Sequence, residues 1–179
     1  SSWKFLREHI YCDEAGKTIA KKELYLKPDG TKTGIWFRYD KGKFEKGLKG
    51  LNAPLYNLPE LIGSSGTLYI AEGEKDADTL SKMGFIATST PSGAGSRWKA
   101  TYNQYFADRD VVILTDNDEP GRLHGEEIKR GLISVAKSIK VIPAKEIWSE
   151  APPKADISTV AERFGADVAK DMLGAAIMW

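Results

Sequence analysis

The sequence predicts an α/β fold preceded by a small antiparallel β-rich part, and three observations predict it. Beyond Gly66, short apolar runs alternate with stretches of helical spacing, the pattern of βαβ crossovers in a mostly parallel sheet with helices on both faces. Before Gly66, runs rich in Ile, Tyr, Trp and Phe are punctuated by Asp/Gly turns, which reads as an antiparallel meander. Charge divides the chain in the same way: the first 50 residues hold 12 Lys and Arg against 7 Asp and Glu, leaving 14 against 18 for the rest. The expected domains are a basic β-rich subdomain with its linker over 1–66 and an α/β domain over 67–179.

In order along the chain, "DEAGK", "KPDGTK" and "DKGK" bound three strand-like runs, "KFLREHIY", "TIAKKELYL" and "GIWFRY". Three strands make a thin sheet that needs support from the α/β domain. "GLKGLNAPLYNLPELIGSSG" is a linker with a short helical turn at 59–62. "TLYIA" is then a strand, and "EKDADTLSKM" a helix with Ala77, Leu80 and Met83 at helical spacing and Gly84 as its stop. "FIATS" is the second strand, "PSGAGS" a loop, "RWKATYNQYFA" a helix, and "VVILT" the third strand. The helix "GRLHGEEIKRGLISVA", the strand "IKVIP" and a last helix "ISTVAERFG", stopped by Gly165, complete a sheet of about four strands.

Composition bounds the function. With 41% hydrophobic and 28% charged residues in 179, the chain can bury one full core. No run reaches the ~20 apolar residues of a membrane span and no secretory leader is visible, so the cytoplasm is the expected location, with no membrane partner. Cys12 is the single cysteine and His9 and His124 the two histidines, too few for a disulfide framework or a structural zinc site. Basic and aromatic residues interleave in the first 50 positions (Trp3, Phe5, Tyr11, Lys21, Lys22, Tyr25, Trp36, Arg38, Tyr39). That mixture suits phosphates and stacked bases, although an aromatic-cored sheet with solvated lysines is the plainer reading.

The acids carry the chemistry. Glu72 follows the first strand of the α/β part, Asp116 and Asp118 follow the third, and Asp156 lies beyond the fourth. In parallel sheets ligands gather at the carboxyl ends of strands, so these side chains are expected on one rim. Converging carboxylates repel unless a cation sits among them or one takes a proton. Oxygen donors without His or Cys fit Mg²⁺ or Mn²⁺, ions that recruit substrate phosphates. Gly73 is expected to turn the chain tightly behind Glu72, and "PSGAGS", with Ser92, Gly93 and Gly95, to offer N–H groups to a phosphate.

Taken together, "LYIAEGEKDADTL", "VVILTDNDEPGR" and "KADIS" resemble a toprim domain over 67–165, in the version found in phage, plasmid and mobile-element primases. The resemblance implies DNA-directed nucleotidyl transfer in DNA replication. It makes Glu72 the acid/base or metal-ligand glutamate, Asp116 and Asp118 the metal-binding pair, Asp76 a supporting acid, and Asp156 a further metal ligand. It also implies that Arg122, with Lys75 nearby, meets phosphate. The implied partners are a single-stranded DNA template and nucleoside triphosphates, with a helicase or zinc-binding module elsewhere in a parent protein. Ser158 and Thr159 stand where primase-type domains often carry a second acid, which weakens a second metal.

Rival readings turn on particular residues. "DNDEPGRLHGEE" fills part of an EF-hand loop, but Pro120 replaces its fifth-position ligand and a strand precedes it. A dehalogenase-type phosphatase would carry its Asp-x-Asp after the first strand rather than the third. Asp156 could serve only as the N-cap of "ISTVAERFG", and Glu74 only as a first-turn acid. His124 is expected to face solvent. Two alternatives to primer synthesis stay open: a metal-dependent nuclease built on the same acids, and a non-catalytic segment that binds metal and nucleic acid.

Overall fold

The computed structural model describes residues 2–92 and 95–178. Its chain forms two compact units, dividing between Pro59 and Glu60, within the short helix α1 (Leu58–Ile62) rather than after Gly66.

The first unit is one antiparallel sheet of four strands in sequence order, β1 (Lys4–Cys12), β2 (Thr18–Leu26), β3 (Lys32–Asp40) and β4 (Lys43–Lys46). The fourth strand was not expected, because "KFEK" is short and charged. A two-residue turn creates it: Lys41 and Gly42 both have positive φ, 47° and 85°, the twist that folds a hairpin back on itself. Asp40 then pairs with Lys43 and Tyr39 with Phe44. Tyr11 and His9 of β1 bury against Tyr56, with ring centroids 5.3 and 5.4 Å from it, and Tyr11 also meets Trp36 at 4.9 Å. This is the aromatic core that the plainer reading expects.

The second unit carries an all-parallel sheet in the order β6-β5-β7-β8, formed by β5 (Leu68–Ala71), β6 (Ile86–Ser89), β7 (Asp110–Thr115) and β8 (Ser138–Pro143). The two central strands read as continuous apolar runs because both faces are covered: every residue of β5 and all of β7 after Asp110 is buried. Helices α2 (Glu74–Lys82), α3 (Glu119–Leu132), α4 (Ala144–Ile147), α5 (Ile157–Phe164) and α6 (Ala166–Ile177) cover it. Leu80, Ile128, Leu132 and Leu173 are fully buried from the helical side.

Two elements differ from the sequence reading. "RWKATYNQYFA" makes only a 3-10 helix, Ala100–Phe106. Trp98 instead donates its indole N–H to Asn103 at 2.8 Å, and Asn103 donates to the Gly131 carbonyl at 3.0 Å, so tertiary bonds override local propensity. Gly165 does stop α5, with φ 87°, but α6 starts directly after it. Among the described residues no helix is long and apolar enough to cross a membrane.

The strand order has a functional consequence. From β5 the chain crosses to β6 on one side and returns to β7 on the other, which makes the carboxyl ends of β5 and β7 a topological switch point. Ligands bind at such points in open α/β sheets.

Candidate functional site

Glu72 and Asp116 each leave a central strand at that switch point. The Asp116 N–H donates to Glu72 Oε2 at 3.4 Å, tying the two strand ends together. Asp118 caps α3, its Oδ1 accepting the Gly121 N–H at 2.8 Å, as an N-cap aspartate should. A methyl group on Gly121 would meet Glu72 Oε2 at 2.8 Å and the Asp116 amide nitrogen at 3.0 Å. The start of α3 therefore lies directly against the acids because residue 121 has no side chain.

Asp76 enters from the first turn of α2, only 6% exposed. It accepts hydrogen bonds from Ser158 Oγ at 2.5 Å and the Ser158 N–H at 3.3 Å, and Ser158 Oγ also meets Thr79 Oγ1 at 2.7 Å. Asp156 is the N-cap of α5 in a reciprocal box with Thr159: its Oδ1 accepts the Thr159 N–H at 2.6 Å and the Thr159 hydroxyl at 2.8 Å. The capping role read from the sequence is thus present, and it fixes the carboxylate beside the others.

Among the described residues, Asp76, Asp116 and Asp156 form the one group of three or more metal-ligating side chains in which one carboxylate oxygen from each lies within 4.8 Å of the others. Oxygens on opposite sides of an ion with bonds of 2.0–2.6 Å are about 4–5 Å apart, so this spacing fits a hard divalent cation. Glu72 and Asp118 lie outside that trio, while Asp76, read as a supporting acid, lies inside it. Sequence reasoning missed the hydroxyl that orients Asp76, because it arises from packing α5 on α2.

Electrostatics match the spacing. Burial, then the charges of Glu72, Asp76, Asp156 and Asp118, push the Asp116 carboxyl up to about 8. Burial and the Asp156 charge raise Asp76 to about 7 against the opposing Ser158 hydrogen bonds. Glu72 is also raised, chiefly by burial, with the Asp116 N–H opposing. Such a cluster either holds protons or holds a cation. One further polar group is unspent at this edge: Ser89 Oγ, buried at the end of β6 on the strand position paired with Ala71, has no hydrogen-bond partner among the described residues.

The expected phosphate contacts are less assembled. Arg122 forks onto Glu119 at 2.8 and 2.7 Å, and Lys75 pairs with Glu162 at 3.3 Å. Both pairs are solvent-exposed, and exposed pairs are weak enough to exchange for a phosphate. Ser92 and Gly95 are exposed, but the Gly95 N–H already donates to the Ser92 carbonyl at 3.2 Å; Gly93 lies outside the described residues. The chain does bend at Glu72 and Gly73, the two residues between β5 and α2, but the bend does not need a glycine. The φ of −140° and ψ of 170° at Gly73 are extended backbone that any residue adopts, and a Cβ there would meet nothing within 4 Å. His124 is buried at 5% exposure rather than solvent-facing, neither ring nitrogen has a partner among the described residues, and burial lowers its pKa.

Comparison with solved structures completes the assignment of the fold. The DnaG catalytic core superposes with a TM-score of 0.64 at 18% identity, over 94% of this chain and 52% of that one. A DNA primase domain from Pseudomonas aeruginosa matches with a TM-score of 0.64 at 15% identity, over 93% and 50%. The chain has a toprim-like α/β fold with a separate antiparallel sheet, the fold of these solved structures. A bacteriophage T7 assembly, in which lagging-strand DNA polymerase interacts with gp4 primase domains bound to an RNA/DNA hybrid and dTTP, matches with a TM-score of 0.61 at 18% identity over 96% of this chain and 76% of that one. The chain thus spans about half the length of the DnaG cores that share its toprim fold. No protein-family sequence model matches it, and no curated protein does at the sequence level.

Proposed function

We propose that this chain is the toprim module of a cytoplasmic DNA primase of phage or mobile-element type, transferring nucleotides in a metal-dependent reaction on a single-stranded DNA template. The observation that carries the reading is the convergence of Asp76, Asp116 and Asp156 at the carboxyl edge of a sheet whose fold is that of primase catalytic cores.

In this reading Asp76, Asp116 and Asp156 hold Mg²⁺ or Mn²⁺, with Glu72 and Asp118 completing the acidic rim. A bound ion there supplies positive charge to the phosphates of an incoming nucleotide and to the leaving pyrophosphate. Glu72, half-buried with a raised pKa, is suited to take the proton of the attacking hydroxyl. Arg122 and Lys75 exchange their surface carboxylates for phosphate oxygens, and Ser92 with Gly95 borders the nucleotide. The basic first unit holds the template strand, and a helicase or zinc-binding module belongs to the parent protein.

A denaturing gel tests the reading. End-labelled single-stranded DNA is incubated with nucleoside triphosphates and Mg²⁺ or Mn²⁺, beside a variant carrying Asp116→Asn and Asp118→Asn. Extended products or newly labelled primers, lost in the variant, support nucleotidyl transfer. Shortened substrate, lost in the variant, assigns the same acids to a nuclease, and an untouched substrate favours a non-catalytic binding segment.

A further inference from the structure

Asn117 stands between the rim acids Asp116 and Asp118, and its hydrogen bonds run to one other stretch of chain. That stretch is the segment 148–155, which follows α4 and delivers Asp156 at the start of α5. It has few bonds of its own. Pro152 and Pro153 carry no N–H, and the internal bonds are those of short turns, from the Ala151 N–H to the Trp148 carbonyl at 2.8 Å and from the Ala155 N–H to the Pro152 carbonyl at 3.1 Å. Asn117 supplies the rest. Its Nδ2 donates to the carbonyls of Ala151 at 2.9 Å and Pro152 at 3.0 Å. Its backbone N–H donates to the Ala155 carbonyl at 2.8 Å, and its own carbonyl accepts the Lys154 N–H at 3.0 Å.

The chemistry of these bonds gives the residue type a reason. Only an amide nitrogen can donate to two carbonyls at once in this position, so an aspartate, which accepts only, would repel both. Lys154 holds φ 63°, a left-handed conformation uncommon for lysine, and such backbone persists where its surroundings fix it. Two residues later comes Asp156. Its capping box with Thr159 sets the carboxylate relative to α5, and Ser158 ties α5 to Asp76 on α2. Neither bond reaches the end of β7. The bridge at Asn117 is the hydrogen-bonded tie between the strand end that carries Asp116 and the segment that carries Asp156.

We propose that Asn117 is a positioning residue for the metal site: it holds the 151–155 segment against the end of β7 and so keeps the Asp156 carboxylate within reach of an ion on Asp116. The inference rests on the proposed metal site and gives Asn117 itself no contact with the ion. Its loss is therefore felt through Asp156. Residues that act as one unit have non-additive effects, whereas independent ones add.

Mn²⁺ titration of the full chain tests it, with amide hydrogen exchange in EDTA as a readout free of metal. Asn117→Ala should bind Mn²⁺ roughly threefold more weakly or worse, as expected within one hydrogen-bonded network. Added to Asp156→Asn it should cost nothing further, but added to Asp76→Asn it should cost its full factor. In EDTA, Asn117→Ala should speed exchange of the Lys154 amide by about tenfold or more and leave the Gly121 amide, held by Asp118, unchanged. Lys154→Pro attacks the bridge from the other side, since proline lacks the N–H and cannot adopt φ 63°. It should lower Mn²⁺ affinity as Asn117→Ala does, while Lys154→Gly, which keeps the N–H and adopts that φ freely, should restore it. Equal affinity in the parent protein and Asn117→Ala overturns the proposal and leaves the metal site standing. So does a loss that persists undiminished beside Asp156→Asn, or unchanged exchange at Lys154. A parent protein that takes up no Mn²⁺ overturns the metal site and this role together.

Discussion

Ser158 donates both its hydroxyl and its backbone N–H to one carboxylate oxygen of Asp76. This pair fastens the start of α5 to the first turn of α2 and aims Asp76 at Asp116 and Asp156. A buried carboxylate is tolerable only when such donors satisfy it.

Ser158→Ala should therefore destabilise the fold by about 1–3 kcal/mol, the cost of leaving a buried acceptor short of a donor. Mn²⁺ affinity should fall with it. Ser158→Thr, which keeps a hydroxyl, should recover most of the affinity. Calorimetric titration of the two variants checks the contrast, and equal affinities would deny Ser158 an orienting role.

Removing charge from the cluster should separate stability from function. Asp116→Asn relieves repulsion from Glu72, Asp76 and Asp156, so the metal-free protein should gain about 1 kcal/mol, roughly 2–4 °C in a chain of this size. The same change should abolish metal binding. Thermal melts in EDTA and in Mg²⁺ read both effects: the variant melts higher without the ion and shows no rise with it.

The raised carboxyls fix a direction of pH dependence. Asp116 at about 8 and Asp76 at about 7 hold their protons more tightly folded than unfolded. Their contribution is complete below the ordinary carboxylate range and is lost as pH rises through 7 to 8. His124, with its lowered pKa, acts oppositely, losing its contribution as pH falls through the ordinary histidine range. The gap in melting temperature between parent and Asp116→Asn isolates the carboxyls. In EDTA the variant's advantage should widen from about pH 5 to about pH 9, and Mg²⁺ should close it at the alkaline end.

Gly121→Ala puts a methyl group 2.8 Å from Glu72 Oε2 and 3.0 Å from the Asp116 amide nitrogen. Glu72 must swing away or α3 must shift, at about 1–3 kcal/mol. Metal-dependent activity should drop more than stability does. An unchanged primer assay in this variant would show that the close approach of α3 is not used.

His124 has two buried ring nitrogens without partners among the described residues, so His124→Leu should leave stability unchanged or raise it slightly. A loss of nucleotide affinity in that variant, measured by equilibrium binding, would instead show that a ring nitrogen serves a ligand.

The parallel sheet was legible because β5 and β7 are short apolar runs that end at Glu72 and Asp116, and the antiparallel sheet because its turns are rich in Asp and Gly. The buried position of His124 was legible too and was overlooked: it shares a helical stripe with Gly121, Gly125, Ile128 and Leu132, all buried. By contrast, the place of Asp76 in the trio depends on packing between α2 and α5, which no local pattern encodes. β4 depends on two residues of positive φ, and α6 on an Ala-rich run after a glycine that reads as a terminus. At Gly73 the bend read from the sequence is present, but its backbone lies in a region open to any residue, so the glycine itself is not what makes it.

The central claim is that Asp76, Asp116 and Asp156 hold one divalent ion. Isothermal titration of Mn²⁺ into the protein near pH 8, beside folded Asp76→Asn, Asp116→Asn and Asp156→Asn variants, tests it most directly. One saturable site is expected in the parent protein, with at least a tenfold loss of affinity in each variant. Unchanged Mn²⁺ affinity in any of the three would contradict it.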